Sequence, residues 1–298
     1  KIRIAEDLFN LHTNGFRGEA LASIAAISHV SIKTKQGDQE LGTQLLIQGG
    51  KVISQEPVHT ATGSNIEVKN LFYNIPARRN FLKSNAIETR HIIDAFQRIA
   101  LTYPKIAFIL IHNDNEIYNL KSANLKQRLV HLFGKGIDEK LVPIQENTEI
   151  LKVSGFVTKP NFAKKNRGEQ FIFVNDRYIK NQYLDHAVHA AYENLIPSNY
   201  HPSYFLYLQV PPKSIDVNIH PTKTEVKFDN EKDLYAILRA AVKHSLGQYN
   251  AAPLLDFNRD PNLDVPYQYR HKELASPAIS VDPDFNPFSN STFPQVKF

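Results

Sequence analysis

The sequence predicts an α+β fold with two folded domains followed by a polar C-terminal segment. Short alternating segments typical of β-strands lie between residues 29 and 69, and an amphipathic helix follows at 87–101. A second group of strand-like and helical segments occupies residues 125–246. From residue 250 onwards, polar residues and prolines surround isolated aromatic residues without periodicity, which is typical of a linker.

The first helix is predicted within the segment GFRGEALASIAAI, residues 15–27. Gly15 and Gly18 permit positive φ angles, and Glu19 in the first turn suits the positive end of the helix dipole. Free N–H groups at such a helix start can bind an anion, and Arg17 would add a charged donor beside them. An ordinary helix start packed on a sheet through its apolar residues is the alternative.

Four strands and a loop are predicted next. The strands are His29–Lys33, Thr43–Gln48, Lys51–Gln55 and Asn65–Lys69. Gly49-Gly50 indicates a hairpin turn between the second and third strands. Ser64, before the fourth strand, offers a hydroxyl group but could equally be a simple strand-start residue. We expect Pro76 to prevent a helix in the loop that follows, where Arg78 and Arg79 could be ordinary solvated side chains.

A helix and a hairpin complete the first predicted domain, residues 1–122. The helix is Ile87–Leu101, and the hairpin strands are Ile106–His112 and Glu116–Leu120. With the preceding strands they indicate a sandwich whose helices cover one face of a mixed sheet.

The second predicted domain, residues 123–249, begins with the helix Leu125–Phe133, which Gly134 ends. The predicted strands are Glu149–Val157, Gln170–Asn175, Ser203–Val210 and Ile215–Ile219, and the predicted helices are Leu184–Leu195 and Glu231–Leu246. We expect Gly247 to stop the last helix and residues 250–298 to form a flexible linker.

Composition excludes several classes of function. The 298 residues carry a formal charge of +5, a mild preference for polyanionic partners, and contain no cysteine for disulfides or thiolate chemistry. No apolar run is long enough to span a bilayer and no signal peptide is visible, so we expect a cytoplasmic location without membrane contact. No GxxxxGK[ST] sequence occurs, which argues against a P-loop ATPase.

Two clusters have possible binding chemistry. The first could form one positive face for a phosphate backbone, with an ordinary solvated surface as the alternative; its residues are Lys164, Lys165, Arg167, Arg177 and Lys180. The second cluster is His186, His189 and Glu193. The spacing of its two histidines is one residue short of a metalloprotease helix and no third ligand is evident, so we expect no metal site there.

Three sequence words resemble motifs of the MutL family of DNA mismatch repair proteins, which belong to the GHKL ATPases. They are GFRGEALASI at 15–24, LFYNIPARRNFL at 71–82 and DVNIHPTKTEVKF at 216–228. The resemblance covers about the first 250 residues and implies the C-terminal part of a GHKL ATPase sandwich followed by a transducer domain, an S5-like β-β-α-β unit. It also implies that the linker leads to a dimerisation domain, which carries a metal-dependent endonuclease in many members.

The resemblance assigns an ATP site. The first word is similar to the family's ATP lid, which implies ATP contacts from Gly15, Phe16, Arg17, Gly18, Glu19, Ala20 and Leu21. Ser64 replaces a family threonine near the phosphates. Lys223 is implied to reach the γ-phosphate as a catalytic charge, although a lone loop lysine is usually a solvated one. Arg78 and Arg79 lie in a loop that responds to ATP in the family.

The family's general-base Glu, Mg²⁺-ligating Asn and adenine-binding Asp are implied to precede Lys1. The intact protein is therefore expected to be an ATPase that uses ATP and Mg²⁺, and this chain alone is expected to be inactive.

The implied partners are DNA, a mismatch-recognition protein, a downstream repair nuclease or helicase, and a second copy in a homodimer. Gln182 departs from the family pattern, because some members carry a basic residue at this position, so the resemblance supports DNA binding less than ATP binding. A non-hydrolysing DNA-binding scaffold, a gyrase-type subunit and a histidine kinase are the alternatives.

Overall fold

The computed structural model describes residues 18–216 and 225–251, without the side chains of the last two. Gly15, Phe16, Arg17, Lys223 and residues 252–298 of the predicted linker therefore lie outside the described residues, whereas residues 250 and 251 belong to the last helix. The described residues all belong to the first of the two units into which the chain divides, residues 1–251 and 252–298.

The first part of the structure is a helix followed by a four-stranded sheet. The elements are α1 (Glu19–Ala26), β1 (His29–Lys35), β2 (Gly42–Gln48), β3 (Lys51–Val58) and β4 (Gly63–Lys69). The strand order is β3-β2-β1-β4, and all three pairs are antiparallel. The predicted hairpin turn is confirmed, since Gly49 and Gly50 join β2 to β3 with φ angles of 54° and 81°.

The next elements are α2 (Pro76–Arg79), α3 (Asn85–Thr102), β5 (Phe108–His112) and β6 (Asn115–Leu120). The expectation that Pro76 prevents a helix was wrong, because Pro76 begins α2. At this first position proline loses no helical hydrogen bond, and its fixed φ already suits the helix. The predicted hairpin is confirmed, with Asn113 and Asp114 at positive φ in its turn.

The second part contains a five-stranded sheet with three helices. Its elements are α4 (Leu125–Phe133), β7 (Leu141–Asn147), β8 (Lys152–Thr158), β9 (Gln170–Val174), β10 (Arg177–Ile179), α5 (Gln182–Ala191), β11 (Tyr204–Gln209), β12 (Ile215–Asp216), β13 (Lys227–Phe228) and α6 (Glu231–Ala251). The order of the large sheet is β10-β9-β11-β8-β7. In this sheet β9 and β11 pair in parallel, and the other pairs are antiparallel. The mixed sheet was predicted for the first part, but the described strands there pair only antiparallel.

Several elements differ from their predictions. The strands β7 and β10 were not anticipated, α5 ends at Ala191 rather than Leu195, and α6 continues through Gly247 instead of stopping there. A helical glycine costs only about 1 kcal/mol relative to alanine. The buried side chains of Val242 and Leu246 hold α6 against the core before that position, and the partly buried Tyr249 packs on the same core after it.

The large sheet is buried on both faces, as its continuous apolar strands predict. Ile172 of β9 and Leu206 of β11 join α5 and α6 in one core. The alternate residues Phe173 and Phe205 join a second core with α4 and with Leu101 of α3. The helix α3 therefore packs on the large sheet, and the protein is an α+β fold. Within 18–216 and 225–251, the structure has no helix that is both long and apolar enough to cross a membrane.

Candidate functional site

The described part of the predicted lid is the start of α1. Gly18 is the N-cap residue, with φ 74°, and it provides no side-chain cap. Glu19, Ala20 and Leu21 are exposed in the first turn. The first N–H groups of a helix have no intrahelical acceptor, so this terminus can donate to an anion.

The last turn of α1 is tied to the segment 70–75. The Phe72 N–H donates to the carbonyl of Ile27 at 2.8 Å, and the Asn74 side-chain amide donates to the carbonyl of Ala26 at 2.9 Å. The ring of Tyr73 lies 4.4 Å from that of His29, centroid to centroid. Phe72 adopts a φ of 63°, a conformation that costs an aromatic residue on the order of 1 kcal/mol. These contacts hold a strained segment against the helix end.

Arg78 and Arg79 lie on α2, immediately after this segment, and both are exposed. The chain then reaches α3 through Lys83, whose N–H donates to the Glu88 carboxylate at 2.9 Å. Because Glu88 is in the first turn of α3, this hydrogen bond connects the segment after α2 to the start of that helix.

Ser64 lies in β4 opposite Thr34 of β1, and the two hydroxyl oxygens are 2.8 Å apart. The Thr34 hydroxyl also lies 3.3 Å from the Gly63 carbonyl and donates to it. Each hydroxyl has one proton, so in this arrangement Ser64 donates to Thr34 and keeps its lone pairs for accepting. Its side chain is exposed.

Among the predicted basic residues, Lys164 already has a partner. Its ammonium lies 3.1 Å from the Glu169 carboxylate, which also accepts from the Ser203 hydroxyl at 3.0 Å. Burial alone would raise the pKa of Glu169, but a backbone hydrogen bond, Lys164 and Ser203 together lower it below its ordinary value. The backbone of Lys164 also pairs with His201. Lys164 therefore anchors the basic loop.

The structure brings Arg167 and Lys180 to one cleft. The cleft has a volume of about 710 Å³, and Tyr178, Gln182 and the carboxylate of Asp185 also line it. Both basic side chains are exposed, as is that of Lys165. Glu225 and Glu231 line the cleft too, so its charges are balanced, and any phosphate contact would be made by the exposed cations themselves.

Arg177 differs from these three. It is half-buried, and burial lowers its pKa while Tyr103 opposes that change. It is therefore less available to a phosphate than the sequence alone indicates.

The histidines of the second cluster have other contacts. The Nδ1 atom of His186 lies 2.8 Å from the Tyr235 hydroxyl, and the ring of His189 lies 5.1 Å from that of His201. Glu193 lies 3.8 Å from Arg239. Across the described ranges, the structure forms no group of three or more potential metal-ligating residues.

Sequence reasoning missed the polar junction between α3 and the large sheet. The Tyr207 hydroxyl donates to the Leu101 carbonyl at 2.9 Å. The buried Arg128 donates through Nη2 to the carbonyls of Pro104 and Ile106, at 2.5 and 2.6 Å. No local pattern indicates such pairs, because arginine and tyrosine are usually at least partly exposed.

The chain is similar in sequence to known DNA mismatch repair proteins. A family model described as DNA mismatch repair protein, C-terminal domain, matches residues 129–247. The DNA mismatch repair protein MutL of Christiangramia forsetii is 60% identical over 298 residues, covering 100% of this chain and 48% of that protein. The Flavobacterium psychrophilum MutL is 62% identical over 288 residues, covering 97% of this chain and 47% of that protein. The chain thus spans about half the length of these relatives.

Two solved structures share the fold. The N-terminal domain of a DNA repair protein aligns with a TM-score of 0.71 at 24% identity, covering 82% of this chain and 79% of that one. The Aquifex aeolicus MutL ATPase domain complexed with ADP aligns with a TM-score of 0.56 at 23% identity, covering 79% and 80%. The chain therefore shares the α+β fold of these two structures. The near relatives, which align with nearly the whole of this chain, show that it belongs to the MutL family of DNA mismatch repair proteins.

Proposed function

We propose that the intact protein is an ATP-dependent clamp that binds DNA and couples mismatch recognition to strand removal. The observation that carries this proposal is the attachment of the lid helix to the segment 70–75. Ala26 and Ile27 at the end of α1 accept hydrogen bonds from that segment, which leads into α2. A change at the phosphate side of α1 would thus act on the rest of the protein.

The described residues fit a nucleotide phosphate but not the whole nucleotide site. The uncapped start of α1 after Gly18 provides N–H donors for a phosphate. The family resemblance places the exposed Ser64 near the phosphates, where its hydroxyl could donate to one only by giving up its bond to Thr34. Gly15, Phe16 and Arg17 are proposed to complete the lid. Mg²⁺ would neutralise phosphate charge when bound, and the family resemblance implies that its asparagine ligand precedes Lys1.

Lys223 is proposed to place its ammonium at the γ-phosphate and to stabilise the charge that develops in phosphoryl transfer. A charged ammonium has no lone pair, so Lys223 cannot activate the attacking water. That step is proposed to need a glutamate from the part of the protein before Lys1.

DNA is proposed to bind through its phosphates. Lys165, Arg167 and Lys180 are exposed cations, and two of them share the cleft. Such contacts position a duplex without reading its bases, so binding should be non-specific and sensitive to salt. A mismatch-recognition protein, a repair nuclease or helicase, and a second copy of the chain are the proposed protein partners.

The substitution Lys223→Ala in the full-length protein tests the catalytic part. We expect kcat for ATP to fall by about tenfold or more while ATP affinity changes little, because the contact is strongest in the transition state. Lys213→Ala is the matched control, since Lys213 is an exposed lysine of the same region.

An unchanged kcat in Lys223→Ala would contradict the assigned role. A wild-type protein that binds DNA without any ATP turnover would instead favour the non-hydrolysing scaffold. The near relatives carry the name MutL, which favours this family over the gyrase-type subunit and the histidine kinase.

A further inference from the structure

The contact between Arg98 and Tyr178 joins α3 to the edge strand β10. The guanidinium carbon of Arg98 lies 4.3 Å from the centre of the Tyr178 ring. This is within the range of a favourable cation–π interaction. The Nε atom of Arg98 is buried and has no hydrogen-bond partner, so the ring rather than an acceptor holds this end of the guanidinium.

Tyr178 is fixed on its own side of the contact. The rings of Phe171 and Phe173 meet it edge-on, each with centroids 6.0 Å away. Burial raises the pKa of the Tyr178 hydroxyl, with Arg98 opposing the change, which is consistent with a ring enclosed by its neighbours. A displacement of Arg98 would therefore act on β10 rather than on a loose side chain.

The strand β10 leads directly into the proposed DNA surface. Tyr178 follows Arg177, and Lys180 comes just after the strand. Tyr178 and Lys180 line the same cleft as Arg167. A shift of β10 would consequently change the spacing of the cations that are proposed to meet phosphates.

The other end of α3 is connected to the lid helix. Glu88 in its first turn accepts from the Lys83 N–H, next to α2. Before α2, Phe72 and Asn74 donate to the last turn of α1. A continuous series of hydrogen bonds and short chain segments thus runs from α1 to the start of α3.

The final turn of α3 is anchored. Ala100 and Leu101 are fully buried, and Tyr207 donates to the Leu101 carbonyl. A helix of 18 residues is about 27 Å long. If the first turn of α3 moves, the anchored C-terminal end can rotate but cannot translate. Arg98 lies one helical turn before this anchored end.

We propose that Arg98 and Tyr178 are a positioning pair that couples the state of the lid helix to the geometry of the cleft. Arg98 does not line the cleft; it acts through Tyr178, which does, and through the orientation of β10. The proposal rests on the proposed function, because it requires both an ATP-dependent lid and DNA binding at the cleft.

The test uses the full-length protein and measures its duplex-DNA dissociation constant with and without a non-hydrolysable ATP analogue. The ratio of the two constants is the coupling factor. Arg98→Gln removes the cation but keeps most of the aliphatic part of the side chain. We expect the coupling factor of this variant to be closer to one than the wild-type factor, by about fivefold or more. DNA affinity without nucleotide and ATP turnover without DNA should stay within about twofold, since Arg98 binds neither ligand.

Matched variants separate coupling from stability. Arg90→Gln makes the same change at an exposed position of the same helix and should leave the factor unchanged. Arg98→Lys keeps a cation for the ring and should restore much of the factor. Tyr178→Leu should lower the factor, and combining it with Arg98→Gln should add little, because both remove one interaction. Thermal unfolding identifies any variant that fails to fold, and the lysine variant then remains for the comparison.

A coupling factor that stays at the wild-type value in Arg98→Gln, with the protein folded, would overturn the inference and leave the proposed function standing. A fall of equal size in Arg90→Gln, or a double variant that sums the two single effects, would also overturn it. Wild-type protein with no ATP turnover or no DNA binding would overturn the proposed function, and the inference with it.

Discussion

Removing the three exposed cations should flatten the salt dependence of DNA binding by a predictable amount. The variant is Lys165→Ala, Arg167→Ala and Lys180→Ala in the full-length protein. Lys164 is left in place because Glu169 pairs with it, and Arg177 because it is half-buried.

Each phosphate contact contributes about 0.9 to the slope of log K against log salt, so three contacts contribute about 2.7. Raising salt fourfold, from about 50 to about 200 mM, should therefore weaken wild-type binding by ~40-fold more than variant binding. The loss should be equal for paired and mispaired duplexes, since phosphate contacts carry no base information.

Fluorescence anisotropy on labelled matched and mismatched duplexes across a salt series measures the slope. Lys135→Ala, an exposed lysine just after α4, is the control and should not change it. A slope change below about one unit, or a loss confined to one duplex, would show that these residues do not face the phosphates.

Two further predictions concern stability and pH. Gly155→Ala should cost about 3 kcal/mol or more in urea unfolding, because its φ is 127° and an added Cβ would lie 2.0 Å from the Phe205 carbonyl oxygen. Gly136→Ala, whose added Cβ meets nothing within 4 Å, should stay within about 1 kcal/mol, and equal effects at the two glycines would contradict this account. Glu169 has a lowered pKa in the folded state, so its stabilising effect should be complete above its unfolded pKa of about 4.3 and be lost as pH falls through the lower folded value. Thermal unfolding across acidic pH should show a smaller loss for Glu169→Gln than for wild type, and parallel curves would refute the assignment.

Elements with a strong local pattern could be predicted from the sequence. The helix Leu125–Phe133 has the bounds expected for it, because Gly134 ends a regular apolar period. The Gly49-Gly50 hairpin was likewise predicted correctly, since two adjacent glycines favour the positive φ angles of that turn. The family was recognisable for a related reason: its three motifs are contiguous words of sequence.

Elements that depend on distant partners could not be predicted. The strand β10 has only three residues, too few to show a period, and exists because β9 pairs with it. Gly247 stays helical because the buried Leu246 before it and the partly buried Tyr249 after it pack on the core. For Gly247, packing outweighs the cost of about 1 kcal/mol that glycine has in a helix relative to alanine.

The sequence by itself determined the fold class, most of the strands and helices, the family, and which cations could bind phosphate. The tertiary structure decided how available those cations are, because the exposed Lys164 pairs with Glu169 and Arg177 is half-buried. It also decided the contact of Arg98 with Tyr178, which are far apart in the chain. Residue type and spacing report local preference, whereas exposure and pairing are properties of the packed chain.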